Sequence, residues 1–589
     1  MRKTLLSVAL IAITQPALAQ DAKPLIEISG ADTRLEENIR ALLSVSDERC
    51  TTELRRLNRL LPQVSRDIER AAQALGYYRL DQNNQFTKTG NCWELSIQVI
   101  PGAPVLFGDI NIQVVPDSTR TLAQNDPFVA LMSDLQVRTG NQLNHSEYEN
   151  LKSSLSAIAV ENGYFAARFT RSELLVDVDS NRAGVEIEFD PGVRFRFGKI
   201  SITPIEALSQ QFITRFLPFE AGEPYSTEML IELRESLNNS LYFSEVAVTP
   251  QLNASQAINA TGVREVPVNI DLSMRPRRSW STGLGVTTDI GPRVTLAHED
   301  RYLNRSGHRL SSDIALSPLD QRGNLTYNIP LSEPSTESLS FSTGYVGQDN
   351  DTFIADTFKL GVSYRSNVDP WLLGQDWLQN IFVNYQRERS EINDVREQSN
   401  LTITGINWTK TVADDPIYPT QGWRLFTQVS GASNALLSDM SFVQLYASGK
   451  YIKSIGTGRF LIRSELATSI VGGIEDLPVS IRYFTGGDQS VRGYKYGSLG
   501  ALNDDGEVVG GKHLLTASVE YDFPVHAGWR GAVFYDAGNS FADYTNLALN
   551  TSVGFGVRWL SPIGAIRADI ARGLETGSFR LHITMGPDL

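Results

Sequence analysis

The chain has 589 residues and a formal net charge of −14, with 41% hydrophobic and 20% charged residues. That acidity argues against nucleic acid as a partner, because affinity there comes mainly from Lys and Arg on phosphates. Beyond the first twenty residues no run of eighteen apolar residues occurs, which excludes membrane-spanning helices but leaves a membrane β-barrel open.

In chain order, Arg2 and Lys3 precede an apolar run, Leu5–Ile13, and the small-x-small triplet Ala17-Leu18-Ala19. This is the pattern of a secretory signal peptide, so residues 1–19 are set aside from the fold. Export makes a disulfide the default for the two cysteines, Cys50 and Cys92, which lack C-x-x-C spacing.

A repeat then organises the chain up to residue 277. Ile100-Pro101-Gly102 with Phe107-Gly108-Asp109-Ile110 recurs as Asp190-Pro191-Gly192 with Phe197-Gly198-Lys199-Ile200. A second mark is Gly76-Tyr77-Tyr78, Gly163-Tyr164-Phe165 and Leu241-Tyr242-Phe243, each after a helical pattern. Ile68, Ala71, Ala72 and Leu75 share one helical face, as do Leu151, Leu155 and Ile158, and Leu230, Leu233 and Leu237. Ser146 with Glu149 reads as a capping box for the second of these helices. Three α+β modules are expected, at 20–104, 105–193 and 194–277, each strand-helix-helix-strand-strand.

After Pro276-Arg277-Arg278 the period changes to two. Val553, Phe555, Val557 and Trp559 alternate with Gly554, Gly556 and Arg558, and Phe579, Leu581, Ile583 and Met585 with Arg580, His582 and Thr584. Segments of spanning length between Gly/Pro-rich breaks predict a transmembrane antiparallel barrel over 278–589, of roughly 14–18 strands. Its apolar face would meet lipid and its charged face a wet lumen.

A long connection at about 471–512 carries Gly486-Gly487-Asp488-Gln489-Ser490-Val491-Arg492-Gly493-Tyr494, and a later strand carries Phe534-Tyr535-Asp536-Ala537-Gly538. Glycines 486, 487 and 493 suit tight backbone turns, and a guanidinium offers a planar fork to a carboxylate. These motifs resemble the loop-six and F-x-D-x-G motifs of the Omp85 superfamily, and the modules resemble its periplasmic POTRA domains. The resemblance implies a sixteen-stranded barrel with loop six folded into the lumen and Arg492 paired with Asp536.

It also implies an outer-membrane assembly factor with a periplasmic arm, embedded in lipid, with nascent outer-membrane proteins as clients. Three modules point to the branch that works with a long, inner-membrane-anchored protein spanning the periplasm. Five would suggest a general barrel-assembly protein, and two with a plug helix a two-partner secretion transporter; a passive pore is the remote alternative. The family mechanism places a lateral seam between the first strand, about Trp280–Thr288, and the last, about Ser578–Gly586. Gly283 and Gly285 would weaken the first strand, and Gly586 beside Pro587 would limit pairing of the last. Six histidines form no metal-ligand spacing and no G-x-S-x-G elbow occurs, so no enzyme, metal or cofactor is expected.

Overall fold

The computed structural model describes residues 24–90, 92–115, 127–133, 135, 137–252, 264–370, 374–545, 547–561, 564–586 and 588. The expected signal segment 1–19 and Pro587 lie outside the described residues. By contact density the chain forms two compact units. One comprises residues up to Lys199 with Glu220–Met229 and Pro250–Val268; the other comprises Ile200–Phe219, Leu230–Thr249 and Asn269–Leu589.

In the first unit, helix Leu54–Ala74 packs Leu57, Val64, Ile68, Ala71 and Ala72 onto a three-stranded sheet ordered Leu25–Ser29, Cys92–Ile100, Asp81–Thr89. Trp93, Leu95, Ile97 and Val99 are the inward alternation of its central strand. Residues 25–101 thereby make a small α+β module whose core is one helical stripe on one sheet face. A second module packs helix His145–Glu161 on a sheet ordered Leu106–Val114, Arg182–Asp190, Arg168–Asp177. Its helix is capped differently from the expected Ser146–Glu149 box: Asn144 is the N-cap, its side chain accepting the Ser146 N–H at 3.1 Å. Asn is at least as good a cap as Ser, and it sits one residue before the helix begins. A third sheet runs Arg196–Ile202, Glu265–Met274, Phe243–Pro250.

The aromatic mark of the repeat has a backbone cause. Gly76, Gly163 and Leu241 adopt left-handed geometry at each helix end, with φ of +85°, +82° and +67°. Glycine takes that conformation freely, whereas Leu241 accepts roughly 1–2 kcal/mol of strain.

Cys50 and Cys92 are disulfide-bonded across a separation of 42 residues, and a closed loop of that size contributes about 4 kcal/mol by chain entropy. Replacing both by serine is expected to lower the stability of this module by roughly 2–4 kcal/mol. Faster amide hydrogen exchange along Leu54–Ala74 reads that loss.

The second unit is dominated by a sixteen-stranded antiparallel sheet in which every strand pairs with its sequence neighbour. It runs from Arg278–Thr287 to Phe579–Gly586 and is nearly closed into a barrel. We call the end where the chain enters at Arg278 the lower rim and the opposite end the upper rim. The expected alternation is visible in exposure: Val553, Phe555, Val557 and Trp559 are 41–61% exposed, whereas Arg558 between them is 2% exposed. The apolar residues therefore face outward and the charges inward. At the lower rim Phe212, from the short helix Gln210–Thr214, fills the space a side chain at Gly307 would need, and the Tyr242 hydroxyl donates to the Gly307 carbonyl at 2.5 Å.

Candidate functional site: loop six and the open seam

Loop six connects the eleventh strand, Gly458–Ile470, to the twelfth, His513–His526. It folds into the barrel, where Val491 and Arg492 are buried. Arg492 forks onto Asp536 of the thirteenth strand, Trp529–Phe541, with Nε to Oδ2 at 2.7 Å and Nη2 to Oδ1 at 2.8 Å. Its Nη1 donates to Glu520 at 2.8 Å and Asp569 at 3.1 Å, and the Phe534 ring lies 3.3 Å from its Cζ.

Sequence reasoning found one carboxylate where there are three. Arg558 bridges Glu520, at 2.8 Å, and Asp569, at 2.5 Å. Arg463 lies 3.7 Å from Asp536, so three guanidiniums meet three carboxylates in a site shielded from water. Ser518 completes it by donating to Asp536 at 2.6 Å. The missed charges did leave a signal: each lies on the inward alternation of its strand, as Glu520 does between Val519 and Tyr521.

The glycines of both motifs are close-approach positions. A Cβ on Gly493 would meet the Gly573 nitrogen at 2.7 Å, and one on Gly538 the Leu515 carbonyl at 2.8 Å. Gly486 and Gly487 have φ of +99° and +105°, and space at Gly487 is taken by the Asp289 carboxylate. The Tyr494 hydroxyl bonds the Thr551 carbonyl at 3.1 Å and the Glu575 carboxylate.

Loop six also touches both sides of the seam. On the first-strand side, the Asp488 N–H donates to Asp289 Oδ2 at 2.7 Å, in the turn after Arg278–Thr287. On the last-strand side, the Gly493 N–H donates to His582 Nε2 at 2.9 Å. An imidazole accepting there carries its hydrogen on Nδ1, which lies 3.8 Å from Asp289 Oδ1. Neither Asp289 nor His582 belongs to a sequence motif, so only the fold brings them together.

Among the described residues the seam carries no ladder. The first strand pairs along its length with Gly291–Asp300, Gly283 opposite Thr295 and Gly285 opposite Arg293, but the sixteen-stranded order does not close on Phe579–Gly586. Across it the Ile583 N–H donates to Thr288 Oγ1 at 3.3 Å. Trp280 and Leu284 on the open edge are 67% and 81% exposed. Gly586 has φ of +146°, and beyond it Asp588 turns inward, its carboxylate 3.1 Å from Arg459 and against Arg567.

Residues 303–586 match the Omp85 superfamily domain. The barrel is an Omp85 superfamily domain. Residues 25–101 match POTRA domain TamA domain 1, so an Omp85 barrel follows a TamA-type POTRA domain in one chain. That pairing indicates an outer-membrane protein with a periplasmic POTRA domain. The chain is similar to the outer membrane protein assembly factor BamA of Neisseria meningitidis serogroup B, at 21% identity over 93% of this chain and 75% of that protein. It is similar also to BamA of Nitratidesulfovibrio vulgaris, at 23% identity over 64% of this chain and 49% of that one, about half the length of that relative. BamA from Haemophilus ducreyi lacking POTRA domains 1–3 shares the fold, with TM-score 0.61 and 17% identity over 82% of this chain and 99% of that chain.

In the Omp85 loop, burial and then the Asp289 carboxylate push the Asp488 pKa from 3.8 up to about 7. A carboxyl that holds its proton more tightly in the seated loop than in free chain favours seating in acid. That preference is lost as pH rises from 3.8 to about 7. Protease protection of residues 486–496 is therefore expected to be stronger at about pH 5.5 than at about pH 8. Asp488→Asn should level the two, and a wild-type loop equally protected at both would refute the assignment.

Proposed function

We propose that this chain is an outer-membrane assembly factor that promotes insertion or secretion of autotransporters and other β-barrel proteins through its lateral seam. The observation that carries the reading is the missing ladder between Arg278–Thr287 and Phe579–Gly586. An exposed edge is normally a liability, and here it is the surface on which a client strand adds by β-augmentation. Residues Gly486–Asp488 and Val491–Tyr494 hold loop six against Phe534, Asp536 and Gly538, and Gly283, Gly285 and Gly586 lie along the seam. The TamA-type POTRA match and the three sheets ahead of the barrel support a TamA-like assignment, with a TamB-like protein as the periplasm-spanning partner.

A photo-crosslinking residue at Leu284 tests the edge in intact envelopes. Adducts to nascent barrel proteins are expected, and a clean lane at every edge position would overturn the reading. Co-purification of the full envelope complex tests the partner. The passive-pore alternative is disfavoured by the lumen occupied by loop six; deleting 485–496 should raise single-channel conductance from a small value.

A further inference from the structure

The seventh barrel strand, Trp377–Ile392, rises towards the upper rim with Ile381, Val383, Tyr385, Arg387 and Arg389 all outward and exposed. Gln386 and Glu388 between them are buried on the lumen side, which fixes the direction of the two arginines. Arg387 stands between Phe358 and Asn400 on the flanking strands, with no carboxylate opposite it. Arg389 stands between Asp356 and Gln398, and Asp356 already accepts from the Tyr345 hydroxyl at 2.5 Å.

Beneath this pair the outward face is hollow. The eighth strand, Val395–Ala413, and the ninth, Gln421–Ala432, present Thr402, Thr404 and Gly431 there. These small residues leave a groove of about 550 Å³ between Val383 and Val443, overhung by Leu436.

We propose that this groove and the Arg387–Arg389 pair form a site for one membrane lipid with a phosphorylated headgroup. An acyl chain lies in the groove, and the phosphate sits on the two guanidiniums. Three features select this occupant. The groove opens on the lipid-facing wall, where the surrounding medium is hydrocarbon rather than water. Tyr385 separates it from the arginines, and tyrosine is the residue of the headgroup boundary. Guanidinium forks match phosphate oxygens, and an outward arginine near the interface costs little there.

The site is testable on the full chain in detergent, with retained lipid counted by native mass spectrometry. The probes are dipalmitoyl phosphatidic acid, phosphatidylcholine of the same chains, and inorganic phosphate. Phosphatidic acid is expected to be retained roughly tenfold better than phosphatidylcholine. Arg387→Gln with Arg389→Gln should erase that preference. Thr404→Phe, which fills the groove, should reduce retention of both lipids; Thr404→Leu serves if the phenylalanine variant lacks heat-modifiable, folded mobility. Equal retention of the two lipids by the wild type, or a preference that survives loss of both arginines, overturns the proposal. So does retention untouched by filling the groove, or full displacement by inorganic phosphate, which would mark a bare anion site.

Discussion

Replacing Arg492 by alanine is expected to release loop six from the barrel wall and make residues 485–496 protease-sensitive in an otherwise folded barrel. The size of the effect follows from what is left behind. Asp536, Glu520 and Asp569 would remain buried with Arg558 and a more distant Arg463 to balance them. Removing one partner from a buried ionic cluster costs about 3–5 kcal/mol, because the others keep their desolvation without the attraction. Arg492→Lys keeps the charge but cannot fork, and should be intermediate. A charge swap, Arg492→Asp with Asp536→Arg, should fail to rescue, since the new carboxylate would face Glu520 and Asp569. Full protection of the loop in the alanine variant, or full rescue by the swap, would show that this cluster does not seat it.

The sequence made periodic features legible and left convergent ones hidden. Period-two alternation was enough for a barrel of roughly 14–18 strands, because lipid and lumen impose opposite demands on successive residues; the number sixteen came from the family resemblance, and the sheet has it. Helical stripes such as Ile68, Ala71 and Ala72 marked the modules because one helix face packs on a sheet while the other meets water. The helix cap was misplaced by two residues because Ser146 and Asn144 both have capping chemistry, and only the observed bond at Asn144 separates them. Arg492 and Asp536 stood out through their motifs, whereas Asp289 and His582 could not. Each is an ordinary polar residue in its own segment, and they meet only because the first turn and the last strand close around one loop.

Cross-linking Thr288→Cys to Ile583→Cys should abolish client insertion while leaving a folded barrel, with activity restored by reductant. The energetic argument rests on how little holds the seam. A ladder over strands of this length would supply several backbone bonds at about 0.5–1.5 kcal/mol each; here one bond, to the Thr288 side chain, is present among the described residues. Continuing antiparallel from that contact sets Gly586 beside Gly285, so the edge from Arg278 to Leu284 has no described last-strand residue alongside it. Asp588 sharpens this, because its contacts with Arg459 and Arg567 hold that residue in the lumen and away from the edge. On the proposed reading, opening would extend a separation already begun, and a covalent bond at Thr288–Ile583 would remove the remaining freedom. A control bridge between Leu325 and Thr343, which are paired on the fourth and fifth strands away from the seam, should leave insertion intact. Insertion that proceeds in the seam-locked protein would sink lateral gating and return the working surface to the lumen or the periplasmic modules.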